Sequence, residues 1–110
     1  MTGDPSAQLR KGVVEFCVLG LLSREVMYGW QISETLAGHG VIASIGTLYP
    51  VLTRLRERGL VTSYDDSSGA GPVRRYYRLT DAGRSELDSF RRQWAPFTRT
   101  ITELIGEPHD

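Results

Sequence analysis

The first forty residues alternate between apolar runs and short polar connectors, and this pattern predicts two helices. From Gln8 to Leu22 nearly every position is apolar, which is typical of a helix that is buried on most sides. Residues 28–37 are amphipathic, with Ile32 and Leu36 four positions apart on one face. Residues 23–27 are expected to be an irregular connector between the two helices.

A third helix is predicted between Ile45 and Arg58. Gly59 follows it at the position where helices commonly end. Pro50 leaves the start open: a start near Thr47 places the proline harmlessly in the first turn, whereas a start at Ser44 presses its ring on an earlier carbonyl. The apolar positions have the i, i+3, i+4, i+7 spacing of a helix with one buried face. They are Leu48, Val51, Leu52 and Leu55.

A β-hairpin is predicted after the third helix. Leu60 to Tyr64 is a short strand, Asp65 to Pro72 is dense in turn-forming residues, and Val73 to Leu79 is rich in β-branched and aromatic residues. Side chains alternate across a strand, so the face with apolar residues at both ends is expected to meet the core. That face carries Val73, Arg75, Tyr77 and Leu79. The opposite face is then exposed and basic, with Arg74, Tyr76 and Arg78.

The rest of the chain predicts one long helix. Thr80 is a suitable N-cap, and Asp81 lies favourably in the first turn. Pro96 interrupts the helix and should bend it, and Gly106 ends it. Apolar residues recur in alternating steps of three and four, which is the seam of a helix that packs on another helix. They are Leu87, Phe90, Trp94, Phe97, Ile101 and Leu104.

Charge and composition narrow the function. The chain has 110 residues, enough for one domain, and its thirteen basic residues balance thirteen acidic ones, which argues against a globally basic nucleic-acid binder. Residues 44–78 nevertheless carry six arginines against three acids. The single cysteine, Cys17, excludes an internal disulfide, and no motif suggests a metal site, a cofactor or a catalytic centre.

Targeting signals are also lacking in the sequence. The longest apolar stretch, around residues 13–22, is too short to cross a bilayer, and the N-terminus has no signal-peptide pattern. We therefore expect a cytoplasmic protein without membrane association.

Three short blocks, set in this order of elements, carry a family signature. They are Tyr28 to Ile32, Gly46 to Leu52 and Arg75 to Thr80. Three helices, a hairpin and a long helix follow the winged helix-turn-helix plan. Over residues 9–104 the chain resembles the PadR family of bacterial transcriptional regulators, in its short-tailed branch because only one helix follows Thr80.

The resemblance implies a mainly α fold with a small β-hairpin. Residues 1–8 would be a flexible N-terminus, residues 9–80 a winged helix-turn-helix DNA-binding domain, and residues 81–106 a C-terminal dimerisation helix.

The resemblance also implies that the third helix enters the major groove of DNA and that the hairpin is the wing. A glycine-rich wing tip lets the backbone approach a phosphate. Tyr49 packed against the second helix, with Arg56 and Arg58 merely solvated, is an alternative that the residues leave open. The expected DNA contacts are Ser44, Thr47, Tyr49, Thr53, Arg54, Ser68, Gly71, Arg74 and Arg75.

A homodimer follows from the same resemblance. A final helix of about 25 residues is about 37 Å long, which is more than a three-helix core covers. Part of its seam should pack on the first helix, and the rest should pack on a second chain. Two-fold symmetry would then place two recognition helices about 34 Å apart, as an inverted-repeat operator requires. The expected dimer contacts are the six apolar seam residues, Leu87 to Leu104.

An effector site is the last expectation. Trp94 resembles the helix tryptophan that stacks flat aromatic ligands in drug-sensing members of the family. Val14 and Val18 would form the wall of the pocket, and Arg91 would lie beside the ligand. An ordinary dimer anchor is the alternative role for Trp94.

These observations together predict a sequence-specific regulator that binds double-stranded DNA and has no enzymatic activity. The most specific form of the prediction is a homodimeric repressor released by a small aromatic ligand. The alternative is a winged-helix module that uses the same basic surface on a protein partner and binds no operator.

Overall fold

The computed structural model describes residues 6–108 and arranges them as four α-helices and three short strands. The predicted order of three helices, a hairpin and a long helix is confirmed. In chain order the elements are α1 (Ser6–Leu22), β1 (Met27–Tyr28), α2 (Gly29–Gly38), a 3₁₀ turn (Ile45–Thr47), α3 (Leu48–Glu57), β2 (Val61–Asp66), β3 (Arg74–Leu79) and α4 (Asp81–Ile105).

The sheet has one strand more than the sequence predicted. Met27 and Tyr28 form β1, which pairs antiparallel with Tyr77 and Tyr76 of β3 and makes a sheet in the order β1-β3-β2. A strand of two residues is too short to show alternation, so residues 23–27 were wrongly expected to be irregular throughout. The Tyr28 N–H also donates to the Gln31 Oε1 at 3.0 Å and thereby caps α2.

The start of α3 decides between the two alternatives for Pro50. The helix begins at Leu48, so the proline is its third residue and lies in the first turn, where a backbone N–H has no helical partner to lose. Gly59 adopts a left-handed φ of 75° after the helix, which a residue without Cβ does at little cost. The chain then turns back directly into β2.

The core lies where α1, α2, α3 and the inner face of the sheet meet. Apolar residues of α3 and the adjoining face of α1 fill its centre, and Tyr77 closes it from β3. Its buried members include Val14, Val18, Leu19, Leu22, Ile32, Leu36, Leu48, Val51, Leu52, Leu55, Val61, Tyr77 and Leu87.

The expectation for the hairpin face is only half correct. Tyr77 is buried and Leu79 packs partly against the core, but Val73 is 58% exposed. Val73 precedes the first residue of β3, Arg74, and lies beyond the edge of the core, so alternation places it on the right face without giving it anything to pack against.

The N-terminal part of α4 joins the domain tightly. The Thr80 hydroxyl donates to the Gly59 carbonyl at 2.7 Å and accepts from the Gly83 N–H at 3.0 Å, which confirms Thr80 as the N-cap. A Cβ on Gly83 would collide with the Leu60 carbonyl oxygen, so only glycine allows this approach. Leu87, one turn later, is buried.

Candidate nucleic-acid interface

The polar face of α3 and the inner face of the hairpin enclose a groove of about 400 Å³, which we call the α3–wing groove. From α3 it is lined by Tyr49, Thr53 and Arg56, which recur at i, i+4 and i+7 and so share one face of the helix. From the hairpin it is lined by Asp65, Val73, Arg75 and Tyr77.

Tyr49 satisfies both interpretations that the sequence left open. Its ring lies 3.6 Å from the position that a Cβ on Gly29 would take, so one side packs against the start of α2. The residue is nevertheless exposed and lines the groove. The Tyr49 ring is therefore positioned by its contact with α2, while the residue remains exposed to solvent.

Both arginines of the groove already have partners within the chain. Arg75 donates through Nε to the Asp65 Oδ1 at 2.9 Å and through Nη2 to Oδ2 at 3.5 Å. This hydrogen-bonded pair lowers the pKa of Asp65 and raises the pKa of Arg75. Arg56 donates to the Ser63 hydroxyl at 3.3 Å. The groove is therefore positive, with its charge held in place before any partner arrives.

The wing tip is ordered by a local side-chain cap. The Asp66 Oδ1 accepts from the Ser68 N–H at 2.9 Å and from the Ser68 hydroxyl at 2.7 Å, and these bonds lower the pKa of Asp66. Ser68 and Gly71 line a small hollow of about 240 Å³ at the tip. Ser68 would have to exchange this cap for a phosphate in order to make the contact expected of it.

Two arginines expected at DNA point elsewhere. Arg54 pairs with Glu15 of α1 at 2.9 Å, because the carboxylate lies beside its side of α3. Arg74 lies over the Tyr28 ring, with Cζ 4.8 Å from the centroid, on the face of the hairpin opposite to the groove. The structure brings neither of them into the groove, although Arg74 lines the hollow at the wing tip together with Ser68 and Gly71, and their contacts with DNA stay predictions.

Ser44 and Thr47 are exposed next to the start of α3, where the Thr47 hydroxyl donates to the Ser44 carbonyl at 2.7 Å. Neither of them lines the α3–wing groove. Arg56, in contrast, does line it and was absent from the expected contacts. Its position seven residues after Tyr49 is the signal in the sequence that could have found it.

An ion-pair network connects three helices behind the groove. Glu15 of α1 pairs with Arg54 of α3 and, at 3.2 Å, with Arg58, the residue that directly follows α3. The other terminal nitrogen of Arg58 lies 3.2 Å from Glu86 of α4. Arg58 is therefore held between two helices.

A second hollow, of about 310 Å³, lies between α1 and α4 and is aromatic. The Phe16 and Phe90 rings stack with centroids 3.8 Å apart, and Trp94 follows at 5.3 Å from Phe90. Glu86, Ser89, Gln93 and Phe97 complete the lining. We call it the aromatic hollow.

Val14 and Val18, the expected wall of an effector pocket, do not line this hollow. Val14 and Val18 are buried in the core, because they lie on the face of α1 that packs within the domain. Phe16 points the other way and takes the place expected of them. Arg91 does not line the hollow either: it pairs with Asp88 at 3.2 Å and approaches the Ser23 hydroxyl at 3.5 Å.

The apolar seam of α4 divides at Phe90. Leu87 is buried in its own chain and Phe90 is partly covered by Phe16, so Leu87 cannot serve as the dimer contact that the sequence predicted. Beyond Phe90 the seam is exposed: Trp94 is 42%, Phe97 59% and Leu104 78% accessible. We call residues Trp94, Phe97, Ile101 and Leu104 the exposed stripe.

Comparison with known proteins identifies the fold and its family. A family model described as "Transcriptional regulator PadR-like family" matches residues 18–89, well over half of the chain. The chain belongs to the PadR-like family. This PadR-like protein is thus a member of a family of transcriptional regulators and not of enzymes.

Several relatives support the assignment. A transcriptional regulator of Mycobacterium tuberculosis is 33% identical over 93% of this chain and 92% of its own length. The crystal structure of a PadR family transcriptional regulator from Eggerthella lenta matches with a TM-score of 0.81 and 35% identity, over 93% of this chain and 89% of the other.

One related structure contains DNA. Bacillus subtilis PadR in complex with operator DNA matches with a TM-score of 0.64 and 28% identity, over 71% of this PadR-like chain and 46% of the other.

Within residues 6–108, none of the helices has both the length and the hydropathy of a membrane span.

Proposed function

We propose that this PadR-like protein is a cytoplasmic, homodimeric repressor that binds an inverted-repeat operator and is released by a small aromatic ligand. The α3–wing groove carries the proposal. It gathers two arginines, a phenol and a hydroxyl on one surface of a winged helix-turn-helix domain. The operator complex of B. subtilis PadR supports the same kind of partner for this chain.

The groove suggests how DNA is bound. Arg56 and Thr53 project from the helix that would enter the major groove, and Arg75 projects from the wing that would follow the phosphates. A phosphate oxygen is a good substitute for the Asp65 carboxylate as the acceptor of the Arg75 fork. Binding then exchanges one charge-assisted pair for another and needs no rebuilding of the wing.

Operator binding is tested by fluorescence anisotropy with two labelled duplexes, one from the region upstream of the gene and one with the same bases scrambled. We expect a Kd of about 10⁻⁸ M for the first and binding about 10³-fold weaker for the second. Arg56→Ala and Arg75→Ala should each weaken operator binding about tenfold. Arg84→Ala, which removes an exposed arginine of α4, is the matched control. Equal affinity for both duplexes would favour the protein-interaction alternative.

The exposed stripe supports the dimer. Its four large apolar residues extend along the part of α4 that has passed the domain core. A second chain packed on this stripe would remove these residues from water. The resulting dimer would present the two recognition helices that an inverted repeat requires. Sedimentation equilibrium at micromolar concentration is the direct measurement, and a monomer there would contradict the dimer.

The aromatic hollow supports the effector. Its rings are already arranged for stacking, and Trp94 is partly open to a ligand that enters beside Phe97. Because the chain has only two tryptophans, Trp30→Phe leaves Trp94 as the sole reporter of fluorescence. Titration with 2-naphthoate, quinoline and a naphthylmethylammonium ion should quench it, and the order of the three affinities shows which charge the site prefers. No quenching by any of them would contradict the aromatic site.

A further inference from the structure

The face of the sheet that points away from α3 carries a row of aromatic rings and two arginines that the α3–wing groove does not use. Alternation along β3 separates the two surfaces, because residues 74, 76 and 78 point outward while residues 75 and 77 point inward. We call this surface the outer face. It consists of Tyr28, Trp30, Tyr64, Arg74, Tyr76 and Arg78.

The rings of the outer face are packed on one another. Trp30 lies nearly parallel to Tyr28 at 6.5 Å, Tyr28 meets Tyr76 at 5.4 Å with its edge, and Tyr76 stacks on Tyr64 at 5.6 Å. The guanidinium of Arg78 lies 5.2 Å from the centre of the Tyr64 ring, as Arg74 does above Tyr28 at 4.8 Å. Each tyrosine ring is therefore already stacked with another ring or with a guanidinium.

This packing leaves hydrogen-bond donors turned toward solvent. Trp30 is 56% and Tyr64 42% exposed. A guanidinium that lies flat on a ring keeps its N–H groups free at the edge. Within residues 6–108, neither the Tyr64 hydroxyl nor the Tyr76 hydroxyl takes part in a hydrogen bond. The outer face therefore presents phenol, indole and guanidinium donors on a rigid base.

The charge of the outer face selects an anionic partner. The face carries two arginines, and the carboxylate opposite Arg74 across the strands, Asp66, already accepts two hydrogen bonds from Ser68. Tyr, Trp and Arg are also the residues that dominate the binding energy of protein interfaces. We propose that the outer face binds an extended acidic segment of a partner protein, whose carboxylates pair with Arg74 and Arg78.

The spacing of the arginines defines the segment more closely. Arg74 and Arg78 lie four residues apart on β3, which corresponds to about 13 Å along an extended chain. Because β3 is the central strand, a partner segment would lie across the outer face above it, and an extended segment parallel to β3 meets both arginines with acidic residues at i and i+4. Apolar residues between these would cover the ring edges.

Single-stranded nucleic acid fits the outer face less well. Non-specific single-strand binding needs open ring faces for successive bases, and here the tyrosine faces are taken. Two arginines are also few for a continuous polyphosphate. Duplex DNA in the α3–wing groove would lie on the other side of the hairpin, so that DNA and the acidic segment can be bound at the same time. The inference thus goes beyond operator binding and does not depend on it.

The test uses the full chain and a fluorescein-labelled peptide of about twelve residues, with two glutamates four positions apart among threonines and valines. We expect anisotropy to give a Kd below about 100 μM, and the same peptide with glutamines to bind at least tenfold more weakly. The double variant Arg74→Ala, Arg78→Ala should lose at least tenfold. Arg84→Ala should stay within about twofold, as should wild type with the operator duplex already bound.

The single variant Arg78→Gln, with its fold checked by circular dichroism, replaces the double variant if the latter is unstable, and it should lose at least threefold. A Kd above about 1 mM for the glutamate peptide would overturn the proposal. So would an equal loss in Arg84→Ala, or an oligothymidylate of twelve nucleotides that binds more tightly and displaces the peptide. Operator affinity is measured separately, so a failure of either proposal is recognised on its own.

Discussion

The exposed stripe of α4 and the α3–wing groove are both open to solvent, but they are open in opposite ways. The stripe is apolar, and within residues 6–108 Phe97 and Leu104 keep 59% and 78% of their surface exposed. The groove is charged, and its arginines are already engaged, Arg75 by Asp65 and Arg56 by Ser63. Within residues 6–108 the stripe is therefore largely uncovered, whereas the arginines of the groove are paired inside the chain.

This difference predicts how stable an association through each surface would be. Burial of apolar area is favourable by about 25 cal/mol for each Å², so a second chain that covered the stripe would be held by the area it removes from water. An exposed ion pair contributes only about 0–1 kcal/mol, so a phosphate can displace Asp65 from Arg75 without a large penalty. We therefore expect the protein to associate with itself continuously and with DNA reversibly.

The strongest test removes the apolar character of the stripe. Ile101→Glu together with Leu104→Glu should raise the dissociation constant of the dimer by more than about 10⁴-fold. Each of the four side chains in the symmetric pair loses at least about 1.5 kcal/mol of burial. Sedimentation equilibrium measures the change, and circular dichroism should show the helices intact. Arg99→Glu adds the same charge on the opposite side of α4 and should leave the dimer unchanged, whereas a comparable loss in that control would contradict the assigned surface.

The second largest difference is expected in how operator binding and dimerisation respond to salt concentration. Two arginines in each half-site give at least four phosphate contacts in a dimer, so operator affinity should fall about 100-fold between 50 and 200 mM NaCl. The dissociation constant of the dimer should change less than about threefold, because burial of apolar area is insensitive to salt in this range. A salt-independent operator complex would show that the groove does not bind phosphates.

A smaller effect is expected from releasing Arg75. Asp65→Asn removes the carboxylate that competes with a phosphate, so operator binding should become about threefold to tenfold tighter at low salt. Asp88→Asn, which removes an equal charge far along α4, is the control. Weaker binding by the Asp65 variant would mean that the carboxylate positions the arginine for DNA and does not restrain it.

The smallest expected effect is that of low pH on the free energy of unfolding. The pKa values of Asp65 and Asp66 lie below their usual 3.8, because Arg75 and Ser68 donate hydrogen bonds to them. Their ionised forms therefore favour the folded wing above the unfolded value, and this contribution is lost as pH falls through the lowered value. The free energy of unfolding, measured with urea, should drop as the pH falls through and below the usual carboxyl value of 3.8, and less so in the double variant Asp65→Asn, Asp66→Asn. An equal drop would assign acid sensitivity to other carboxyl groups.

Periodicity predicted the long elements, because a helix with one buried face repeats its apolar residues often enough to be seen. It could not predict β1, whose two residues have no period, nor which side of the nearly all-apolar α1 faces α4. For that reason Val14 was expected at the aromatic hollow, where Phe16 stands.

The positions of two expected DNA contacts, outside the α3–wing groove, were unpredictable for a related reason. Arg54 and Arg74 have the right residue type on or beside the right elements, but their direction depends on groups far away in the chain. Glu15 holds one from 39 positions away, and Tyr28 attracts the other across the sheet. Local sequence places a backbone position, whereas the direction of a long charged side chain is set by tertiary neighbours.

The network of Glu15, Arg58 and Glu86 has a mechanical consequence. Glu86 lines the aromatic hollow and forms an ion pair with Arg58 at the C-terminal end of α3. Glu15, which precedes Phe16 in the chain, forms a second ion pair with Arg58. If a ligand separated the Phe16 and Phe90 rings, we would expect it to shift Glu86 and the neighbour of Phe16, Glu15, and so to disturb their ion pairs with Arg58. The effect would pass from α1 and α4 to α3 through side-chain ion pairs alone, without a loop between them.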